Sequence, residues 1–329
     1  MKSFLRVTLA LACLIPLAAC GKKQESKGFT AGIVFDVGGL GDKSFNDAAH
    51  RGLMRAKDEL KIEVQYYEPK EEADRESGLR RYAAEKFSVI VGVGFMFTDE
   101  ITVLAKDFPS LKFACVDMAV KGDPLPPNLV ALKFKEEEGS FLVGALAGLL
   151  TKTNVVGFVG GMDVPLIHKF EAGFTAGVKH VNPGGQVLSG YSQSFKDAAK
   201  GKSLAVGMYE KRADIIYHAS GQSGRGVFEA AREKDKLAIG VDSDQYEEAP
   251  GHVLTSMIKR VDLAVFETIK GVKDGKFEPG VKVFGLKEDG VGFVYDDRNK
   301  NLIPKEIYDK VMALRADIIA GRITVPSTR

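Results

Sequence analysis

From Phe29 onward the chain repeats one pattern, in which short apolar runs rich in Val, Ile and Phe alternate with longer segments of helical period. A run that is apolar at every position has to be buried on both faces, the condition of strands in a parallel sheet covered by helices. The pattern predicts strands at 30–36, 62–67, 89–94 and 112–117, with helices near 45–60, 75–86 and 98–107 between them. A second series predicts strands at 154–160, 185–191, 213–219 and 236–242, with helices near 166–181, 197–211 and 224–234. Two α/β sets of the same kind are implied, and 329 residues is enough for about two domains. Between the series, Glu136-Glu137-Glu138-Gly139 opens a segment with Phe141, Leu142, Val143, Leu146, Leu149 and Leu150 on nearly every side. Acids suit the positive amino end of a helix. An apolar run of about a dozen residues is too short to span a bilayer, so a buried helix is expected.

The first 19 residues are of another kind. Lys2 and Arg6 precede an apolar run from Val7 to Ala19 that ends in small residues, the pattern of an export signal. Leu17-Ala18-Ala19-Cys20 resembles a bacterial lipobox, with Cys20 as the lipidated residue of the mature chain. Residues 20–28 are polar and read as a tether. Removing residues 1–19 leaves 44 basic against 44 acidic residues, since Lys2 and Arg6 are both lost and no acid is. A neutral chain with no basic stripe offers nothing general to a phosphate polymer, so nucleic acid is not an expected partner. Cys13 leaves with the leader and Cys20 carries lipid, so Cys115 stands alone and no intrachain disulfide is available. Its setting, Lys112 to Asp117, reads as a buried strand.

Catalytic and metal motifs fail on inspection. Gly221-Gln222-Ser223-Gly224-Arg225 has Arg where a nucleophile elbow needs Gly. Gly201-Lys202-Ser203 lacks the first glycine of a phosphate loop, which would fall at Lys196. Asp242-Ser243-Asp244 begins like a calcium loop, yet Tyr246 and Glu247 break it. His50, His168, His180, His218 and His252 show no metal spacing. No cofactor, metal or enzymatic activity is expected.

In open parallel sheets, ligands bind outside the carboxyl ends of the strands. Four such ends carry polar residues. Asp36 closes the first strand and leads into a glycine-rich loop ending in Ser44-Phe45-Asn46; Asp117 closes the fourth; His218 to Gly221 follow the strand at 213; Asp242 closes the strand at 236. One such Asp is commonly only a turn or helix cap. Three at equivalent positions suit a ligand with several hydroxyl or amine donors, such as a nucleoside or a sugar. Phe45 and Phe170 each read either as core or as a ring facing ligand, and Lys259 as a solvated lysine or a donor to a hydroxyl.

Five separated segments, taken in order, resemble the basic membrane protein family of purine nucleoside receptor-like lipoproteins that serve ABC importers. They are Gly32 to Asp36 with Asp42 to Asn46, Glu137 to Gly144, Gly160 to Pro165, Gly226 to Ala231, and Gly240 to Gln245. The resemblance spans Phe29 to Arg329. It implies a type I periplasmic-binding fold, with two doubly wound α/β lobes joined by a three-segment hinge. Lobe 1 would comprise 29–133 plus 260–282, and lobe 2 would comprise 134–259 plus 283–329. It also implies a purine base stacked by Phe45, with Phe170 as the second ring. Polar contacts would come from Asp36, Ser44, Asn46, Asp117, Gly221, Asp242 and Lys259. His218 departs from the small residues usual in its stretch, and the expectation is that it adds bulk or a hydrogen bond at the pocket wall.

The functional expectation is a monomeric solute-binding protein, lipid-anchored on a bacterial membrane and facing the periplasm or exterior. It would capture inosine-, guanosine- or adenosine-class ligands for ABC permease and ATPase subunits. The alternatives are the same fold binding a sugar or signalling compound, an exported nucleoside-processing enzyme, and a structural lipoprotein.

Overall fold

The computed structural model describes residues 28–36, 38–71, 73–122 and 124–329. The expected leader, Cys20 and nearly all of the tether lie outside the described residues. Two six-stranded sheets are present among the described residues, each with helices on both faces. The first has the order β11-β5-β4-β3-β1-β2, from β1 (Thr30–Val34), β2 (Glu63–Tyr67), β3 (Val89–Val93), β4 (Lys112–Val116), β5 (Leu129–Phe134) and β11 (Gly280–Phe284). The second has the order β12-β10-β9-β8-β6-β7, from β6 (Val155–Gly160), β7 (Gln186–Tyr191), β8 (Ile215–Ala219), β9 (Leu237–Asp242), β10 (Val253–Lys259) and β12 (Val291–Phe293). All pairings are parallel except that of β10 with β12. The chain passes between the sheets after β5, after β10 and after β11, so the expected two-lobed, doubly wound architecture is the one observed.

The outcome differs from the expectation in detail. β1 ends at Val34 rather than 36, although the Phe35 N–H still donates to the Tyr67 carbonyl at 3.0 Å. β11 runs to Phe284, so the third crossing falls beyond the expected residue 282. Four strands, β5, β10, β11 and β12, add to the eight expected. Cys115 is fully buried in β4, and burial pushes its thiol well above the ordinary pKa.

In lobe 1, α2 (Asp74–Ala84) and α3 (Thr98–Asp107) cover one face, and α1 (Phe45–Leu60) with α8 (Val261–Lys273) cover the other. In lobe 2, α6 (Ala198–Glu210) and α7 (Gly224–Lys234) cover one face. The other carries α4 (Glu136–Leu150), α5 (Pro165–Val181) and α9 (Lys305–Ile319). α4 is the apolar segment between the two series, and it is buried from Gly139 to Gly148. Its backbone lies directly on that of α5. A Cβ on Gly144 would come within 2.2 Å of the Phe174 carbonyl oxygen, and one on Gly177 within 2.1 Å of the Phe141 carbonyl oxygen. That close approach fixes α5, and with it Phe170, relative to the first crossing. No helix among the described residues is long and apolar enough to cross a membrane.

Candidate functional site: the cleft between the lobes

The carboxyl ends of both sheets face one cleft, which encloses about 670 Å³ including open solvent at its mouth. Eight of the ten residues named as ligand contacts from the sequence line it: Asp36, Phe45, Asn46, Asp117, Phe170, Gly221, Asp242 and Lys259. Ser44 and His218 do not.

The loop between β1 and α1 is held by Asp42. Its carboxylate accepts from the backbone N–H groups of Ser44 (2.9 Å), Asn46 (2.8 Å) and Asp47 (3.1 Å), and from the Asn46 side-chain amide (3.1 Å). Those are the donors a helix start leaves unmade, so Asp42 caps α1. Asn46 in turn accepts from the Asp36 N–H at 3.2 Å, which ties the end of β1 to the first turn of α1. Phe45 is thereby carried on the rigid start of a helix.

At the hinge side, Lys259 is 2% exposed and lies among acids and rings. Its Nζ is 2.6 Å from Asp117 Oδ2 and 3.0 Å from Glu136 Oε1. The same ammonium lies 5.2, 4.9 and 5.5 Å from the ring centroids of Phe45, Phe134 and Phe170. Burial disfavours the charged amine, but Asp117, Glu136 and Asp242 outweigh that and hold its pKa above the ordinary lysine value. The second oxygen of Glu136 meets Lys169, the residue before Phe170. Asp117 Oδ1 is buried at the cleft with no hydrogen-bond partner among the described residues. A buried acceptor in that condition is costly unless a ligand supplies the donor.

Asp242 occupies the position in lobe 2 that Asp117 has in lobe 1. Both close the third strand from the crossing edge, and both leave it with positive φ, +59° for Asp117 and +65° for Asp242. Asp tolerates this conformation better than most side chains. The Ser44 hydroxyl donates to Asp242 Oδ2 from the other lobe, which is why Ser44 is absent from the cleft wall. Beside it, Arg51 of α1 donates to Ser243 Oγ at 2.7 Å, and that hydroxyl donates to the Ser44 carbonyl at 3.2 Å.

Residues 29–329 match the family described as ABC transporter substrate-binding protein PnrA-like. The chain belongs to that family. Basic membrane protein A of Borreliella burgdorferi is 38% identical over 328 residues, covering 98% of this chain and 95% of that protein. The ABC transporter nucleoside-binding protein BmpA of Lactococcus lactis subsp. cremoris is 34% identical, covering 97% of each. A crystal structure of an ABC transporter system solute-binding protein from Aeropyrum pernix K1 superposes with a TM-score of 0.83 at 28% identity, covering 92% of this chain and 94% of that one.

In this substrate-binding protein, His218 is a correction to the sequence reading. It is fully buried under α7, edge-on to Phe228, and does not line the cleft, whereas its neighbour Ala219 does. Its Nε2 lies 3.1 Å from Gln245 Oε1, and burial lowers its pKa to about 4, so the ring is neutral at physiological pH.

The sequence reading also passed over Glu136, read only as one of three acids at a helix start. Phe95, Phe195, Leu166 and Ile167 line the cleft as well. Leu166 and Ile167 lie one turn before Phe170 on α5, a spacing that was legible. Phe95 opens a short 3-10 turn (Phe95–Phe97) and Phe195 stands in a connection between elements, so no periodicity marks either.

Proposed function

We propose that this substrate-binding protein captures purine nucleosides between its lobes and delivers them, from a lipid anchor at Cys20, to an ABC importer. The observation that carries the reading is the pairing of rings and acids in one cleft. Phe45 from lobe 1 and Phe170 from lobe 2 supply aromatic faces, while Asp117 and Asp242 each bring a buried carboxylate to the same space. A base stacked on an aromatic side chain gains about 1–3 kcal/mol. A ribose diol donates two hydrogens, and a site built to accept them rejects ligands that lack them because its acceptors are then left unpaired. The name of the Lactococcus relative, a nucleoside-binding protein, supports the same class.

Calorimetric titration with inosine, guanosine and adenosine, beside hypoxanthine, ribose and galactose, tests the reading. Tight binding confined to the nucleosides, with unchanged ligand recovered by chromatography, is the expected result. Preferential binding of the free sugars would move the protein to another ligand class, and release of free base would make it an enzyme. The anchor is tested separately: Cys20→Ser should release the protein from carbonate-washed membranes, and retention would mean another attachment.

A further inference from the structure

Apart from Gly221, which lines the cleft, the motif Gly221-Gln222-Ser223-Gly224-Arg225 has been given no role in ligand capture, and it is not a nucleophile elbow. In the structure it forms a 3-10 turn (Gly221–Ser223) running into α7, at the cleft edge of lobe 2. Two of its side chains reach the other lobe. Gln222 Nε2 donates to the Gly38 carbonyl at 3.0 Å, and Arg225 Nη2 donates to the Gly41 carbonyl at 2.7 Å. Both acceptors belong to the glycine-rich loop whose far end is Ser44-Phe45-Asn46. We propose that Gln222 and Arg225 form a clasp that holds this loop, and with it Phe45, over captured ligand, so that they are positioning residues that set how long the ligand stays.

Leverage is the physical reason. The crossings lie at the β11/β5 and β10/β12 edges, whereas the clasped loop follows β1 and the clasp follows β8. With strands about 4.8 Å apart, β1 lies roughly 19 Å and β8 roughly 14 Å from those edges. An opening of roughly 10° at that radius separates the lobes by about 3 Å, which breaks hydrogen bonds of this length. Both bonds therefore exist only in the closed arrangement and bias the molecule toward it, whatever fills the cleft. Gln222 lines the cleft but Arg225 does not, and the Arg225 side chain is 44% exposed, so Arg225 can be removed without excavating the core or the cleft wall. Glu248, 4.0 Å from Arg225 Nε, is the acid that faces it within lobe 2.

The test rests on the nucleoside reading for one arm only. In stopped-flow measurements on the purified full chain, the double variant Gln222→Ala/Arg225→Ala should release inosine about tenfold faster than the native protein, the effect of losing two net hydrogen bonds. Association should change much less. Arg225→Ala alone should speed release while leaving the affinity ratio of inosine to 2′-deoxyinosine unchanged; a changed ratio would mean that Arg225 reads the ligand, and the clasp would be wrong. Hydrogen–deuterium exchange on the same proteins without ligand supplies the second arm. Amides of residues 38–46 should exchange faster in the double variant while those of β3 and β4 keep their rates. Unchanged exchange at 38–46 overturns the clasp even if inosine proves not to be the ligand, and failure of native protein to bind inosine counts only against the nucleoside reading.

Discussion

Asp117 and Asp242 are the same residue at the same topological position in two lobes, and the structure uses them differently. Each ends the third strand from the crossing edge of its sheet in a left-handed backbone conformation. Asp117 faces an ammonium: Lys259 takes one oxygen and leaves the other bare. Asp242 faces a hydroxyl, Ser44, brought by the opposite lobe. Burial raises the pKa of both, with Lys259 opposing it in each case, and brings Asp242 to about 6. The doubly wound topology determines where a carboxylate stands, whereas its chemistry is decided by what the other segments bring to it. The first of these can be inferred from a sequence pattern, and the second cannot.

The largest effect should come from removing the cation that makes the two acids unlike. Lys259→Met keeps the volume and apolar contact with the three rings, loses the attraction of the ammonium to them, and leaves Asp117 and Glu136 buried without their shared partner. Breaking a buried pair from one side costs about 3–5 kcal/mol. Denaturant unfolding should register a loss of that size, and inosine affinity should fall with it. A variant as stable as the native protein would mean that Lys259 is a ligand contact and no part of the frame.

Next in size is the acid that does not depend on Lys259 for a direct partner. Asp242→Asn should lower inosine affinity by about 1.5–3 kcal/mol, the worth of charge-assisted hydrogen bonds, and affect hypoxanthine much less. Asp117→Asn should weaken binding too, and also lower stability, because Lys259 then keeps Glu136 alone. Equal losses for inosine and hypoxanthine in Asp242→Asn would show that the residue acts through Ser44 on closure rather than on the ribose.

Six of the eight expected strands, β1, β3, β4, β6, β8 and β9, are buried almost throughout, and such strands announce themselves as apolar runs, although β5 and β10 are buried as well and are not among the expected strands. β11 is short and mostly exposed, with Val281 and Val283 exposed on either side of Lys282, so no apolar run marks it. β12 is only three residues long. Strand-end acids were legible for the topological reason given above. Glu136 was not, because acids at a helix start usually serve the helix dipole. Nothing local distinguishes the one that also meets Lys259 and Lys169. His218 precedes Ala219, which does line the cleft; its ring is instead buried against Phe228 of α7, and nothing local in the sequence marks that packing.

Phe45 and Phe170 repeat the contrast between the lobes at smaller amplitude. Phe170 is 4% exposed and belongs to the core between α5 and its sheet, whereas Phe45 is only partly buried at the start of α1. Phe45→Ala should cost about 1–3 kcal/mol of inosine binding, one stacking contact, with little change in melting temperature. Phe170→Ala should lower both. If Phe45→Ala melts much earlier and binds normally, its ring serves the core and the two positions do not differ in the way described.

The smallest effect separates the two acids by titration. The pKa of Asp242 in the fold, about 6, lies above its ordinary value of 3.8 because burial disfavours the charge. A group raised in this way contributes stability at low pH, fully present below about 4, and that contribution is lost as pH rises through about 6. Binding should run the other way. A diol donates to the ionised carboxylate, so the competent form is the one that prevails above pH 6. At pH 5 only about a tenth of a group with pKa near 6 is ionised, and apparent affinity falls in proportion to the competent fraction, about tenfold. The groups around Asp242 are Lys259, which stays charged, Ser44, and the acids Asp42 and Asp117, whose pKa values burial also raises. His218, held near 4, remains neutral across this range. Inosine titrations at pH 7.5 and pH 5 should therefore show the tenfold loss in the native protein and a nearly flat response in Asp242→Asn, whose amide cannot ionise. If the pH dependence survives that substitution, the titrating acid is Asp117 or Asp42, and the difference between the two lobes would have to be redrawn around one of them.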